Sequence, residues 1–185
     1  MSSVAINVVG LVGSLRRHSL SGALMRAAQE LAPDGLTIEV VDLSALPMYN
    51  EDLRADGFPP EVAAFRQRLA AADAFVLSSP EYNRSVSAVL KNAIDWGSRS
   101  PGQCFDGKPI TVMTSSPGGL GGALANYHLR QIFVYLNGQV LNGPEIMVGD
   151  AKAKFDADGR LSDEPTREFI AGHLRRFAEF ARALR

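Results

Sequence analysis

The stretch Gly13-Ser14-Leu15-Arg16-Arg17-His18-Ser19-Leu20-Ser21 packs hydroxyl and basic side chains into one short span. It follows an apolar run, Val4 to Val12, that reads as a buried strand. It leads into Leu20, Leu24, Ala28 and Leu31, spaced for one face of a helix. A strand, a hydroxyl-rich loop and a helix start together form an anion site, because the helix N-terminus presents unpaired N–H groups and the positive end of its dipole. Ser14, Ser19 and Ser21 can add hydroxyl donors and Arg16 a charged fork. No Gly-Lys-Ser/Thr closes the loop, so it is not a P-loop. Gly10 and Gly13 do not fit G-x-G-x-x-G, although Asp42 ends the second strand as a ribose-reading acid would. Hydroxyls and one arginine suit a terminal phosphate dianion better than a pyrophosphate. The structural alternative is a helix capped by Ser19 behind an exposed basic turn.

Two further segments carry unusual chemistry. Pro80-Glu81-Tyr82-Asn83-Arg84-Ser85 sets an aromatic ring and a carboxamide beside a proline. Tyr82 can flank a flat ring, Asn83 can donate and accept, and Ser85 can cap a following helix. In the alternative, Pro80 ends a strand and Asn83 starts a helix. Ser115 to Gly122 is rich in glycine, which lets backbone approach a ligand and present N–H groups; a flexible turn is the alternative.

The elements that must position these segments alternate strand and helix signals. Leu36 to Val41 is a short β-branched run, and a polar connection spans Ser44 to Pro60. Val62, Phe65 and Leu69 mark a helix face, and Ala74 to Leu77 a buried strand. Val86, Leu90, Ala93 and Ile94 mark the next helix, and Ile110 to Met113 another strand. A helix is expected over Gly122 to Leu136, a last strand between Gln139 and Met147, a polar excursion over Ala151 to Pro165, and a closing helix over Thr166 to Leu184. Continuous apolar strands joined by helices predict a parallel sheet covered on both faces. The expected fold is a single α/β domain over residues 1–185: a flavodoxin-like three-layer sandwich with a five-stranded parallel sheet of order 2-1-3-4-5. In that order strands 1, 3 and 4 are neighbours, so the three segments converge at their carboxyl ends. A phosphate end, an aromatic flank and a bed of backbone donors suit FMN.

Composition narrows the partners. The chain has 185 residues and a formal net charge of −1, which gives no electrostatic case for nucleic acid or an anionic membrane. No apolar run reaches the length of a membrane span. Met1-Ser2-Ser3 lacks the basic start of a signal peptide. Cys104 is the only cysteine and reads as a packing residue. A cytoplasmic setting is expected. His128 and His173 fall inside helices as structural residues, whereas His18 could assist a phosphate. Asp156-Ala157-Asp158-Gly159 reads as a turn, because the remaining calcium-loop positions are wrong. Tyr49-Asn50-Glu51-Asp52 lies in a polar loop that either borders the site entrance or is simply solvated.

Several motifs together resemble the NADPH-dependent FMN reductase family, in particular its chromate and quinone reductase branch. They are Gly-Ser-Leu-Arg at 13 to 16, Ser19, Pro-Glu-Tyr-Asn at 80 to 83, Leu-Lys-Asn-Ala-Ile-Asp-Trp at 90 to 96, Thr-Ser-Ser at 114 to 116 and Tyr-His-Leu-Arg-Gln at 127 to 131. The resemblance covers nearly the whole chain. It implies FMN contacts from Ser14, Arg16, Ser19, Leu20 and Ser21 in the first loop and from Pro80, Glu81, Tyr82 and Asn83 in the second. Ser115, Ser116, Gly118 and Gly119 supply those of the third. No catalytic residue and no metal ligand is expected. The implied reaction is ping-pong: NAD(P)H gives a hydride to FMN, which then reduces a quinone or another small-molecule acceptor such as chromate or an azo compound. The competing readings are a non-catalytic flavodoxin-like electron carrier and a binding protein for another phosphorylated ligand. Nothing in the sequence identifies a reader for the adenosine phosphate that separates NADPH from NADH. Ser21 stands where close relatives often have asparagine, and Ser87-Ala88 where they often have Pro-Gly. The resemblance also implies a homodimer or tetramer. Tyr127 and Glu145 match positions that join dimers in a tetrameric relative, while Leu124 replaces an arginine there.

Overall fold

The structure, a computed structural model, describes residues 5–185; Met1-Ser2-Ser3 and Val4 lie outside the described residues. The chain runs β1 (Ile6–Val12), α1 (Leu20–Glu30), β2 (Leu36–Val41), α2 (Pro60–Ala71), β3 (Ala74–Ser79) and α3 (Ala88–Gly97). It continues through β4 (Pro109–Ser115), α4 (Ala123–Tyr135), β5 (Gln139–Val140), β6 (Ile146–Val148) and α5 (Glu164–Ala183). Every strand pairing is parallel, in the order β2-β1-β3-β4-β5, with β6 also on β4. β3 and β4 are buried along their whole length, as strands covered on both faces must be. Val62, Phe65 and Leu69 of α2, Leu90 and Ile94 of α3, and Leu129 and Phe133 of α4 pack on one face of the sheet. Leu24 and Ala28 of α1 and Ile170, Leu174 and Phe177 of α5 pack on the other. Those two layers of helices and the sheet between them are the flavodoxin-like sandwich. Among the described residues, no helix is long and apolar enough to cross a membrane.

The fifth strand differs from its expected single run over Gln139 to Met147. It is two short segments, β5 and β6, so the sheet has six strands in place of five. From Ile110 to Met113 β4 advances by three residues, while its partner runs from Val140 to Ile146. The extra residues include Gly143 and Pro144, and proline has no N–H to give to a ladder. Side chains from α4 collect the backbone freed by the interruption: Arg130 donates to the Leu141 carbonyl at 3.2 Å, and Asn126 to the Ile146 carbonyl at 3.4 Å.

Val86 also lies before its expected helix. α3 begins at Ala88, and its N-cap is Ser87, whose hydroxyl accepts from the Leu90 N–H at 3.4 Å. Ser85 instead belongs to the turn that precedes it.

Candidate active site

The carboxyl ends of β1, β3 and β4 are adjacent, and the strand order reverses between β1 and β3, where open α/β sheets bind ligands. The first loop leaves β1 through Gly13, whose N–H donates to the Ser78 carbonyl at 2.8 Å. A Cβ at Gly13 would lie 2.6 Å from the hydroxyl of Ser87, the cap of α3, so glycine is what lets this loop pack so closely against the start of that helix. Ser19 caps α1, its hydroxyl accepting from the Gly22 N–H at 2.9 Å. The cap leaves the first amides of the helix without intrahelical partners. Arg16 is exposed and spends one nitrogen on the His18 carbonyl at 3.2 Å, leaving the rest of its fork free for an anion. Asp42 is occupied: the Ser44 N–H and hydroxyl donate to its carboxylate at 2.9 and 2.7 Å and hold its pKa below the usual range. It is a turn former, not a ribose reader.

In the second loop Tyr82 and Ser85 exchange backbone hydrogen bonds of 3.1 and 3.0 Å across Asn83 and Arg84, both with positive φ. This tight turn holds the Tyr82 ring at the surface, 48% exposed. Glu81 differs from its expected role. Its carboxylate accepts from the Leu124 and Ala125 N–H groups at 2.9 and 3.1 Å. The residue at the start of α4, Gly122, has no side chain to cap it and sits at φ 81°. Glu81 therefore supplies the cap from another loop.

The third loop is fastened to the chain after β6. Ser116 donates its N–H to the Val148 carbonyl at 3.0 Å, and Ala151 donates to the Ser116 carbonyl at 3.0 Å. The Gly118 N–H, expected to face a ligand, donates to the Ser116 hydroxyl at 3.1 Å.

One cleft of about 140 Å³ gathers most of the expected residues. Ser14, Arg16, Ser19, Leu20 and Ser21 form one wall, Pro80, Glu81 and Tyr82 a second, and Ser115 and Ser116 a third. Pro117 joins that third wall; it lies inside the expected loop, but nothing in its residue type marks it. Asn83, Gly118 and Gly119 do not line the cleft, and neither do Tyr49 to Asp52. Tyr49 is instead held by α3: its N–H donates to Asn92 at 2.7 Å and its ring meets Trp96 edge-on at 4.8 Å. Larger hollows do not bring the three loops together. The one of about 450 Å³ lies at the opposite end of β1 and β2, around Asn7, Thr37 and the Arg68–Glu39 ion pair.

The hydroxyls of Ser21 and Ser115 are the sharpest features of the cleft. They are 1% and 2% exposed, and neither has a hydrogen-bond partner among the described residues. A buried hydroxyl without a partner is costly, so both point to a polar ligand. Together with the α1 N-terminus and Arg16 they fit a phosphorylated, hydrogen-bonding group such as FMN. Burial raises the pKa of Cys104, which is remote from the cleft and donates to the Gly102 carbonyl at 3.5 Å. His128 and His173 are bonded to Ser85 at 2.9 Å and Thr111 at 2.6 Å. The Asp156 carboxylate accepts from the Asp158 and Arg160 N–H groups at 3.0 and 2.8 Å, the expected turn.

Comparison with known proteins agrees with this geometry. The profile of the NADPH-dependent FMN reductase family matches residues 6–153, which hold all three loops. An NAD(P)H-dependent FMN reductase of Pseudomonas aeruginosa is 48% identical over 180 residues, covering 97% of both chains. A quinone reductase of Escherichia coli is 41% identical over 181 residues, covering 96% of each. The structure of an NAD(P)H:(acceptor) oxidoreductase, a flavoenzyme from Paracoccus denitrificans, superimposes with a TM-score of 0.88. It shares 36% identity and covers 97% of this chain and 98% of its own. With the fold, the loops and the unpartnered hydroxyls already in place, these matches make the chain a member of the NADPH-dependent FMN reductase family.

Proposed function

We propose that the cleft holds FMN and that the chain is an NAD(P)H-dependent quinone reductase working in ping-pong order. Chromate and azo compounds serve as further acceptors. The observation that carries this reading is the pair of buried, unpartnered hydroxyls, Ser21 and Ser115, in one cleft at a helix N-terminus. FMN, when bound, supplies the hydride and electron-transfer chemistry; the protein supplies position and electrostatics.

Ser14, Ser19 and Ser21 donate hydroxyl hydrogen bonds to the phosphate, Arg16 gives it a charged fork, and the first amides of α1 complete its shell. Pro80 and Tyr82 flank the flavin ring, and the Ser115 hydroxyl donates to the cofactor from β4. Glu81 acts at one remove by tying the second loop to α4. Tyr82 stands at the rim and leaves room for nicotinamide and acceptor to reach the ring in turn. Asn83, Gly118 and Gly119, which do not line the cleft, are not part of this assignment. We also read the chain as a homo-oligomer, on the exposed apolar residues of α4.

The test is the absorbance spectrum of the purified protein, the mass of the ligand it releases, and NAD(P)H oxidation with a quinone. A flavin spectrum, FMN by mass and parallel double-reciprocal lines are expected. Bound FMN without turnover would make the chain an electron carrier. A colourless protein that takes up no FMN would point to another phosphorylated ligand.

A further inference from the structure

A second cleft, of about 220 Å³, opens beside the first and shares its Ser19 and Leu20 wall. It lies between the flank of α1 and the segment from Lys152 to Gly159. His18, Arg26 and Lys152 border it with exposed basic side chains. Among the described residues, neither the His18 ring nor the Lys152 ammonium makes a hydrogen bond or ion pair, and Arg26 makes only a 3.4 Å contact with the Gly159 carbonyl. The one acid on its border, Asp156, is committed to its own turn. Phe155 adds a half-buried aromatic ring.

We propose that this cleft receives the adenosine end of NADPH, with the 2′-phosphate between Arg26 and Lys152 and the adenine against Phe155. The inference rests on reading the first cleft as the FMN site. Its own grounds are chemical. Side-chain cations without a glycine-rich backbone cradle suit a terminal phosphate dianion, and a flat aromatic wall suits a base. The two clefts share Ser19 and Leu20, so a dinucleotide whose nicotinamide lies over the flavin would run past the FMN phosphate end to enter the second. The sequence could not reveal this reader, because Arg26 sits in α1 and Lys152 far along the chain after β6.

The test uses the purified holoprotein and the variants Lys152→Ala and Arg26→Ala, whose side chains are exposed and outside the core. KM is measured for NADPH and for NADH, the NADH reaction serving as internal control. Binding of adenosine 2′,5′-bisphosphate is followed by calorimetry. The wild type should favour NADPH. Each substitution should raise the NADPH KM and weaken bisphosphate binding about tenfold, as for a lost charge-assisted hydrogen bond, while the NADH KM stays put. Equal use of both coenzymes by the wild type, parallel changes in both KM values, or unchanged bisphosphate binding would overturn the assignment. So would release of FAD, since its adenylate would then claim the cleft. Absence of any NAD(P)H oxidation would refute the proposed function, while the bisphosphate titration would still decide this cleft by itself.

Discussion

Ser21 and Arg16, both assigned to the phosphate in the proposed reading, differ in their surroundings. The Ser21 hydroxyl is buried and unpartnered, whereas Arg16 is exposed and solvated. Substituting them should therefore separate two effects. Arg16→Ala should weaken FMN retention by about 1.5–3 kcal/mol, the worth of a hydrogen bond to a charged group, and leave the stability of the apoprotein alone. Ser21→Ala should weaken FMN by about 1 kcal/mol yet raise apoprotein stability, since it removes an unsatisfied buried group. Fluorescence titration with FMN and urea unfolding of the stripped protein measure both. An unchanged FMN affinity in Arg16→Ala would sink the phosphate assignment. At this scale the sequence was legible where chemistry is local. Ser19 reads as a helix cap from its neighbours in sequence, and it caps α1. Glu81 was not legible, because the amides it serves are 43 and 44 residues away. The Gly118 N–H, read as a ligand donor from its loop, donates to the Ser116 hydroxyl two residues earlier, a contact that loop composition does not reveal.

At the scale of elements, α4 depends on a side chain from outside itself. Its first amides are met by Glu81, because Gly122 brings no capping group, and the carboxylate also lies at the positive end of the helix dipole. Glu81→Ala should cost about 1 kcal/mol of stability, as for the loss of an N-cap. It should also loosen FMN, since the link between the second loop and the start of α4 goes with it. Glu81→Gln keeps an accepting oxygen in the same place and should recover most of both. Urea unfolding and FMN titration of the two variants check this, and equal losses in the Gln and Ala proteins would contradict it. Helices and buried strands were readable in advance because their apolar periods are imposed by burial on this very sheet. Two details were not. The division of the last strand depends on where Pro144 falls against β4, and the choice of Ser87 over Ser85 as a cap depends on the turn that pairs Tyr82 with Ser85.

At the scale of the whole molecule, an apolar stripe on α4 meets solvent and a buried histidine lies against the sheet, and each has a measurable consequence. Leu124, Tyr127 and Val134 share a side of α4 and are all exposed, with Leu120 just ahead of them. Within the chain, Tyr127 donates to Glu145 at 3.4 Å. Light scattering should find a homo-oligomer, and Val134→Glu should reduce its mass; a monomeric wild type would refute the oligomer. His173 joins α5 to β4 through Thr111. Burial, aided by the charges of Arg130 and Arg176 and opposed by the Pro144 carbonyl, lowers its pKa to about 4 from the ordinary 6.5. Above pH 6.5 the ring is neutral in both folded and unfolded chains and contributes no pH dependence. As pH falls from 6.5 to 4 the unfolded chain takes up a proton that the folded chain refuses, and stability drops by about 3 kcal/mol in total. Below pH 4 both forms are protonated and the loss from this group ends. Glu30, Asp42 and Asp163 have pKa values lowered by hydrogen bonds to Arg167, Ser44 and Thr166, so their contributions vanish only as pH falls through and below the usual carboxylate range. The interval from pH 6.5 to 5 thus reports on the histidine. Thermal melts across it should show a declining Tm in the wild type and a nearly level one in His173→Gln, which retains a polar partner for Thr111 but cannot titrate. The same slope in both proteins would mean that the ring is not kept neutral by the closure of α5 over the sheet.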